Sequence, residues 1–286
     1  MAGVNLHLPL YKPNPTRSSS SHTPSAYTTR TTDLITIPQN LAYWESIHTD
    51  IDSHLKKSIQ IREPISVFEP MHHFTFTPPK TTASALCVAA CEVVGGNRED
   101  AVVAASAIHL MYASIYTHNL LLETVRVGSE SGPGIENLHK FGSNIELLTS
   151  DGIVPFAFEL LAGSGNDSGR TLQVVIEIAK AVGAQGMVAG EDDGVEAEKL
   201  GGEVARQLHG CGAACGAIMG GGTLEEIERL KRYGVYVGKI EGVLSDEGKD
   251  EGVKVELVER LRGLALKELE CFDGKKIQQI SSIVGV

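Results

Sequence analysis

Four of the five cysteines in this 286-residue chain fall in two Cys-x-x-x-Cys pairs, Cys87/Cys91 in LCVAACEVVGG and Cys211/Cys215 in HGCGAACGAIMGGG. A spacing of four puts both sulfurs of a pair on one helix face, one turn apart, among Ala and Gly residues that let a second backbone come close. Thiols so placed can ligate a soft metal, exchange disulfides or fill a core. Zinc ribbons and redox motifs use the tighter Cys-x-x-Cys, which argues against both, and a disulfide across an i,i+4 pair strains a helix. Four thiols from two helices could still form a tetrahedral site. The plainer reading is four small side chains buried in tightly packed helices, because free Cys is among the most buried residue types. Cys271 has no neighbour at ligand spacing and no assigned part.

A second candidate is acidic. Glu191, Asp192, Asp193, Glu196 and Glu198 in AGEDDGVEAEK contain a D-D-x-x-E, and carboxylates in such an array can hold a divalent cation. Gly194 inside the run reads as a turn, so the expectation is a solvated acidic loop, with a metal box as the alternative. His118 stands alone and is expected to pack in the core or at an interface rather than to move protons.

Helices must position all of these. Apolar residues recur at helical spacing over 41–59, 83–94, 98–122, 143–162, 171–182, 195–219, 224–244 and 253–270, and no period-2 strand occurs. Pro78-Pro79, Gly95-Gly96 and the stretches 129–134, 163–169 and 220–222 punctuate them. Pro155 is expected to kink its helix. Thr223 with Glu226 reads as a capping box opening the next one. Trp44, the only tryptophan, is expected to anchor its helix on the body or on a partner.

Composition bounds the rest. With 42% apolar residues the chain can bury the core of a single helical domain. A net charge of −11 argues against nucleic acid or an anionic membrane as partner, since either calls for a basic face. No uncharged apolar run reaches the ~18 residues that span a bilayer. The odd cysteine count and the lack of a secretory h-region point to free thiols in a reducing compartment. The first 32 residues contain no Asp or Glu, are rich in Ser and Thr, and carry Lys12, Arg17 and Arg30. That composition reads as a disordered organellar transit peptide, placed at 1–38, with the folded domain over 39–286.

From about residue 43 onward the segments EPMHHFTFTPPKTTASALCVAACEVVGG, AIHLMYASIYTHNLLLE, HKFGSNIELLTSDGIVPFAFELLA, IEIAKAVGAQGMVAGE and GCGAACGAIMGGGTLEEIERLKRYGVYVG follow one another, with a closing helix ending in SSIV. In this order they resemble the short-chain trans-prenyltransferases, and most of all the non-catalytic small-subunit branch of the plant heteromeric enzymes. That branch is marked by paired Cys-x-x-x-Cys and by missing Asp-rich motifs. The resemblance implies an all-α, single-domain isoprenoid synthase fold. In active members DDxxxxD and DDxxD on facing helices hold Mg2+ against the allylic diphosphate, so that the leaving group's charge is neutralised as the C–O bond ionises. Here the three Asp positions after Thr117-His118 hold Asn119, Leu120 and Val125. The second motif is represented by Ser245, Asp246, Glu247, Gly248 and Lys249, with only Asp246 at an expected Asp position. Of the homoallylic G-G-K-R-x-R segment only Lys80 survives, in Pro78-Pro79-Lys80-Thr81-Thr82-Ala83, a point charge without the arginine fork that fixes a diphosphate. The His-Lys-Thr segment before the second Cys pair is also absent.

The resemblance therefore implies a chain that binds no Mg2+ itself and regulates a partner that does. That partner is a catalytic geranyl(geranyl) diphosphate synthase large subunit, joined as heterodimer or heterotetramer in the plastid stroma and steered to ten-carbon geranyl diphosphate for monoterpenes. Cys87, Cys91, Cys211 and Cys215 are then expected at the subunit contact, and Lys80 as a weak residual phosphate contact. The alternative is an active homodimeric geranyl diphosphate synthase whose metal ligands come from the 191–198 run, with Asp246. A third reading is a partner that only stabilises or localises the large subunit.

Overall fold

The computed structural model describes residues 31–127, 140–184, 200–245 and 250–285, the side chains of 31–39, 123–127 and 200–205 excepted. These residues form α1 (Thr31–Ser58), α2 (Ile65–Phe76), α3 (Thr82–Val94), α4 (Arg98–Val127), α5 (Ser143–Ala162), α6 (Ser168–Val182), α7 (Leu200–Met219), α8 (Leu224–Ser245), α9 (Glu251–Leu269) and α10 (Gly274–Ser281), closed by a 3-10 turn at Ser282–Val284. No strand occurs among them, and the fold is an all-helical bundle, as the resemblance implies.

Two helices form the centre because they are apolar or small on every side, a pattern that only full enclosure satisfies. Helix α3 is buried from Ala83 to Cys91 without a break. Helix α7, buried from Leu208 to Met219, packs against α3, α4, α6 and α8. Ala101, Ala104, Ala105 and Ile108 of α4 complete the inner layer. Around it α1 lays Ile47, Ile51 and Leu55 inward at a spacing of four, and Ile59 just past its end continues the row. Trp44 donates its indole N–H to Ser282 Oγ at 3.1 Å, which ties α1 to the C-terminal turn and fulfils the anchoring expectation. Arg98 reinforces α1 by bonding Asp50 at 3.0 Å and Glu92 at 2.8 Å.

The helix ends show what periodicity reads and what it misses. The Thr223–Glu226 box forms as expected: Glu226 accepts from the Thr223 N–H at 2.7 Å, and Thr223 Oγ1 accepts from the Glu226 N–H at 3.3 Å. Asp167 opens α6 three residues earlier than apolar spacing indicated, by accepting the Arg170 N–H; a cap is polar and carries no apolar signal. Helix α2 was not expected at all, because Pro70 and a run of aromatic and β-branched residues hide its period. Helix α5 runs through Pro155 as one element. Helix α1 begins at Thr31, ahead of the boundary placed at 38; a helix nucleated by the buried turns at Ile47 and Ile51 extends backward at little further cost. The remainder of the 1–38 segment lies outside the described residues, as does the whole acidic run from Glu191 to Glu198.

Candidate functional site

The two cysteine motifs meet where α3 packs on α7. Gly212 and Gly216 of α7 and Gly220 just past its end, each four residues from the next, face Ala83, Cys87 and Cys91, one turn apart on α3. A Cβ at Gly212 would stand 2.1 Å from the Ala83 carbonyl oxygen, at Gly216 1.8 Å from that of Cys87, and at Gly220 2.8 Å from that of Cys91. No side chain fits in these gaps, so only glycine permits the approach. The thiols pack beside this seam. Cys87 Sγ lies 3.9 Å from the Ala101 carbonyl oxygen of α4, Cys91 Sγ donates to the Asn97 carbonyl at 3.4 Å, and Cys215 Sγ lies 4.0 Å from the Val174 carbonyl oxygen of α6. The Cys211 and Cys215 sulfurs are 3.8 Å apart, and every cysteine is a free thiol.

Burial, with weaker repulsion from neighbouring thiols, pushes the Cys87 thiol well up, and burial pushes Cys91 up to about 12. A hydrogen bond with Cys211, together with burial, does the same to Cys215. These groups are protonated packing elements at neutral pH. In the single chain all four face the interior among its own helices, so the part at or near a subunit contact expected of them is one exerted through the helices they seat. The small residues that suggested a second backbone nearby were right about its closeness; that backbone belongs to the same chain. Any influence of the motifs on a partner passes through the seating of α3 on α7.

The degenerate cage positions lie on α4 and α8, which both pack against α3 and α7. Asn119 and Leu120 are half-buried, with Leu120 packed on the core. Val125 continues α4 with its side chain outside the described residues. Ser245 ends α8 and turns its hydroxyl back to the Glu241 carbonyl oxygen at 2.8 Å; Asp246 lies outside the described residues. Magnesium requires oxygen ligands, usually with carboxylates among them. Asn119 offers one neutral carbonyl and Leu120 none, so the α4 positions do not fit the ion. Among the described residues no group of three or more His, Cys, Asp or Glu is arranged to hold a metal. Lys80, the survivor of the homoallylic segment, pairs with Asp52 of α1 at 3.3 Å. His118 Nε2 lies 3.1 Å from Asp151, linking α4 to α5 at a partly exposed position rather than in the core.

Sequence reasoning missed a polar cluster between the helices that would carry the Asp-rich motifs. His209 of α7 is buried and its Nε2 lies 2.9 Å from Glu241 of α8. Burial opposes ionisation of Glu241, but His209 and a hydrogen bond with Thr82 hold its carboxyl below the usual range. Across from it, burial and then the neighbouring Tyr116 and Glu241 charges push the Tyr112 phenol up. Helices α3, α4, α7 and α8 thus each contribute one polar side chain here, and the charges are satisfied internally. The signal for this arrangement was the glycine spacing on α8: a Cβ at Gly234 would stand 2.3 Å from the His209 carbonyl oxygen, and one at Gly238 3.0 Å from His209 Nδ1.

No protein-family model matches the chain. It is 42% identical over 264 residues to the Cannabis sativa protein named heterodimeric geranylgeranyl pyrophosphate synthase small subunit 2, chloroplastic, a match spanning 85% of this chain and 90% of that one. Among solved structures it is similar to the geranyl diphosphate synthase small subunit of Antirrhinum majus, at 44% identity and a TM-score of 0.72, over 86% of this chain and 99% of that chain. A mint deletion mutant of heterotetrameric geranyl pyrophosphate synthase in complex with ligands gives 45% identity and a TM-score of 0.70 over the same shares, 86% and 99%. With its fold, its paired Cys-x-x-x-Cys helices and its dismantled cage positions in view, the chain belongs to the small-subunit family of plant heteromeric geranylgeranyl and geranyl diphosphate synthases, within the short-chain trans-prenyltransferases.

Proposed function

We propose that this chain is a non-catalytic regulatory subunit that binds a catalytic geranyl(geranyl) diphosphate synthase large subunit in the plastid stroma and steers it to geranyl diphosphate for monoterpene synthesis. The observation that carries this reading is the presence of Asn119 and Leu120 on α4 where the resemblance calls for metal-binding carboxylates. The Mg2+ chemistry then belongs to the partner. The chloroplastic naming of the Cannabis sativa relative supports the compartment, and its heterodimeric naming, the heterotetrameric naming of the mint enzyme and the small-subunit naming of the Antirrhinum majus protein support the assembly.

A surface for the partner is available on α5. This helix buries Ile153, Ala157 and Leu161, yet also exposes Ile145, Leu147 and, at 66%, Leu148. A helix apolar on both faces calls for cover on both, and the large subunit is the occupant we assign to the outer one. Product length in this fold depends on the depth of a pocket lined by helices near the subunit contact. A partner pressing on those helices, or hastening product release, ends elongation early. The thiol motifs contribute by fixing α3 and α7, on which α4 rests, with α5 in turn packed against α4.

The test is prenyl transfer from isopentenyl and dimethylallyl diphosphates with Mg2+, by the purified chain alone and mixed with a large subunit. The expected result is no turnover alone and mainly the ten-carbon product in the mixture, with Leu148→Glu weakening co-purification. Turnover by the chain alone that disappears in Glu196→Ala/Glu198→Ala would establish the homodimeric enzyme instead. Binding without a change in product would reduce the role to stabilising or localising the partner.

A further inference from the structure

The four motif thiols are not equivalent. Cys87, Cys91 and Cys215 are 0% exposed; Cys211, buried at 3%, is the one of the four that lines an open cavity of about 170 Å3 between α6, α7 and α8. Glu177, Lys180, Gln207 and Lys231 supply the polar part of that wall. A single water needs roughly 10–15 Å3 of such space, so a small oxidant enters readily. Lys231 donates to Glu177 at 2.6 Å and Lys180 donates to the same carboxylate at 3.1 Å. One carboxylate therefore faces two ammoniums and the wall is net positive. Lys231 lines the same wall as Cys211, and cationic neighbours are a general feature of oxidation-prone cysteines. The second sulfur is already in place: Cys215 Sγ is 3.8 Å from Cys211 Sγ. Residues four apart on a helix have Cα atoms about 6 Å apart, within the span a disulfide bridges.

We propose that Cys211 is an oxidation site for small peroxides, with Cys215 as its resolving thiol. The Cys211 thiolate attacks one oxygen of hydrogen peroxide; the O–O bond breaks, hydroxide leaves, and the sulfur is oxidised to a sulfenic acid while the peroxide is reduced. The Cys215 sulfur then attacks the sulfenic sulfur, the S–O bond breaks, and the departing hydroxide takes the Cys215 proton as water. In sum, two thiols and one peroxide give one disulfide and two waters. A bridge within one helical turn is strained and so easily reduced. It also distorts α7 beside Gly212 and Gly216, so the redox state of this pair acts on the seating of α3. The inference is independent of what the chain does to a partner.

The experiment uses the full chain carrying Cys271→Ser, which removes the exposed thiol. After mild hydrogen peroxide, the protein is denatured, alkylated, digested with trypsin and weighed. Peptide 207–229 is expected to lose two hydrogens and to recover them with dithiothreitol, while peptide 81–98, which holds Cys87 and Cys91, remains fully reduced. Adding Cys215→Ser should leave a dimedone-trappable sulfenic acid at Cys211. Lys231→Gln should slow oxidation roughly three- to tenfold and Lys231→Arg should preserve the rate. Full alkylation of both cysteines in peptide 207–229 after treatment, equal oxidation of peptide 81–98, or an unchanged rate in Lys231→Gln would each overturn the proposal.

Discussion

Replacing Gly216 by Ala tests the packing argument at its tightest point. The new Cβ would stand 1.8 Å from the Cys87 carbonyl oxygen, 2.7 Å from its carbonyl carbon and 3.0 Å from its Cα. All three atoms are backbone, so no side chain can swing aside. Reaching ordinary contact at 3.4 Å requires α7 to retreat from α3 by roughly 1.6 Å, which opens the seam along its length and loosens the thiols beside it. Overpacking typically costs about 1–3 kcal/mol. With rigid backbone on both sides and a neighbouring cavity created by the retreat, the expected loss is about 3–5 kcal/mol. Gly152→Ala is the matched control. It lies within α5, its Cβ would meet nothing within 4 Å, and removing a helix-interior glycine is expected to gain up to about 1 kcal/mol. Urea unfolding of the isolated chain, followed by helical circular dichroism, reads both. A Gly216→Ala chain within about 0.5 kcal/mol of the parent would refute the account of the motif as a backbone-contact seam.

Two further outcomes are expected. Tyr233 is fully buried and its hydroxyl donates to the Ile280 carbonyl at 2.6 Å; Tyr233→Phe leaves that carbonyl short of a donor, so stability should fall by about 1–2 kcal/mol and hydrogen exchange should quicken first in α10. Burial holds His48, His54 and His109 below their usual value of 6.5. Their folded values lie below the unfolded one, so the stability they contribute is present above pH 6.5 and is lost as pH falls through the lowered range. The urea midpoint should drop between pH 7.5 and 5.5, by less in His109→Gln, whose amide can still donate to the Thr75 carbonyl that His109 Nε2 meets at 2.9 Å; a flat profile would contradict this.

The sequence by itself determined the class of this protein. Helical periodicity, the punctuating Gly and Pro clusters and the order of the motifs suffice for an all-helical bundle, because burial of one face per helix is a local pattern. Loss of the first metal cage was legible for the same reason: a residue that is Leu or Asn cannot become a carboxylate in any fold. Helix α2 escaped because its stabilisation comes from tertiary contacts that outweigh a proline and weak propensities. The direction in which a motif faces was decided only by tertiary structure. Cys87 and Cys211 could have met another protein or their own chain, and nothing in a spacing of four distinguishes these. The choice fell inward because Gly212 and Gly216 admit the α3 backbone to a distance no other side chain allows. The pairing of His209 with Glu241, and the cavity that opens one thiol of four, likewise arise from helices far apart in sequence. Charge compensation and solvent access are properties of that juxtaposition, and no stretch of chain carries them alone.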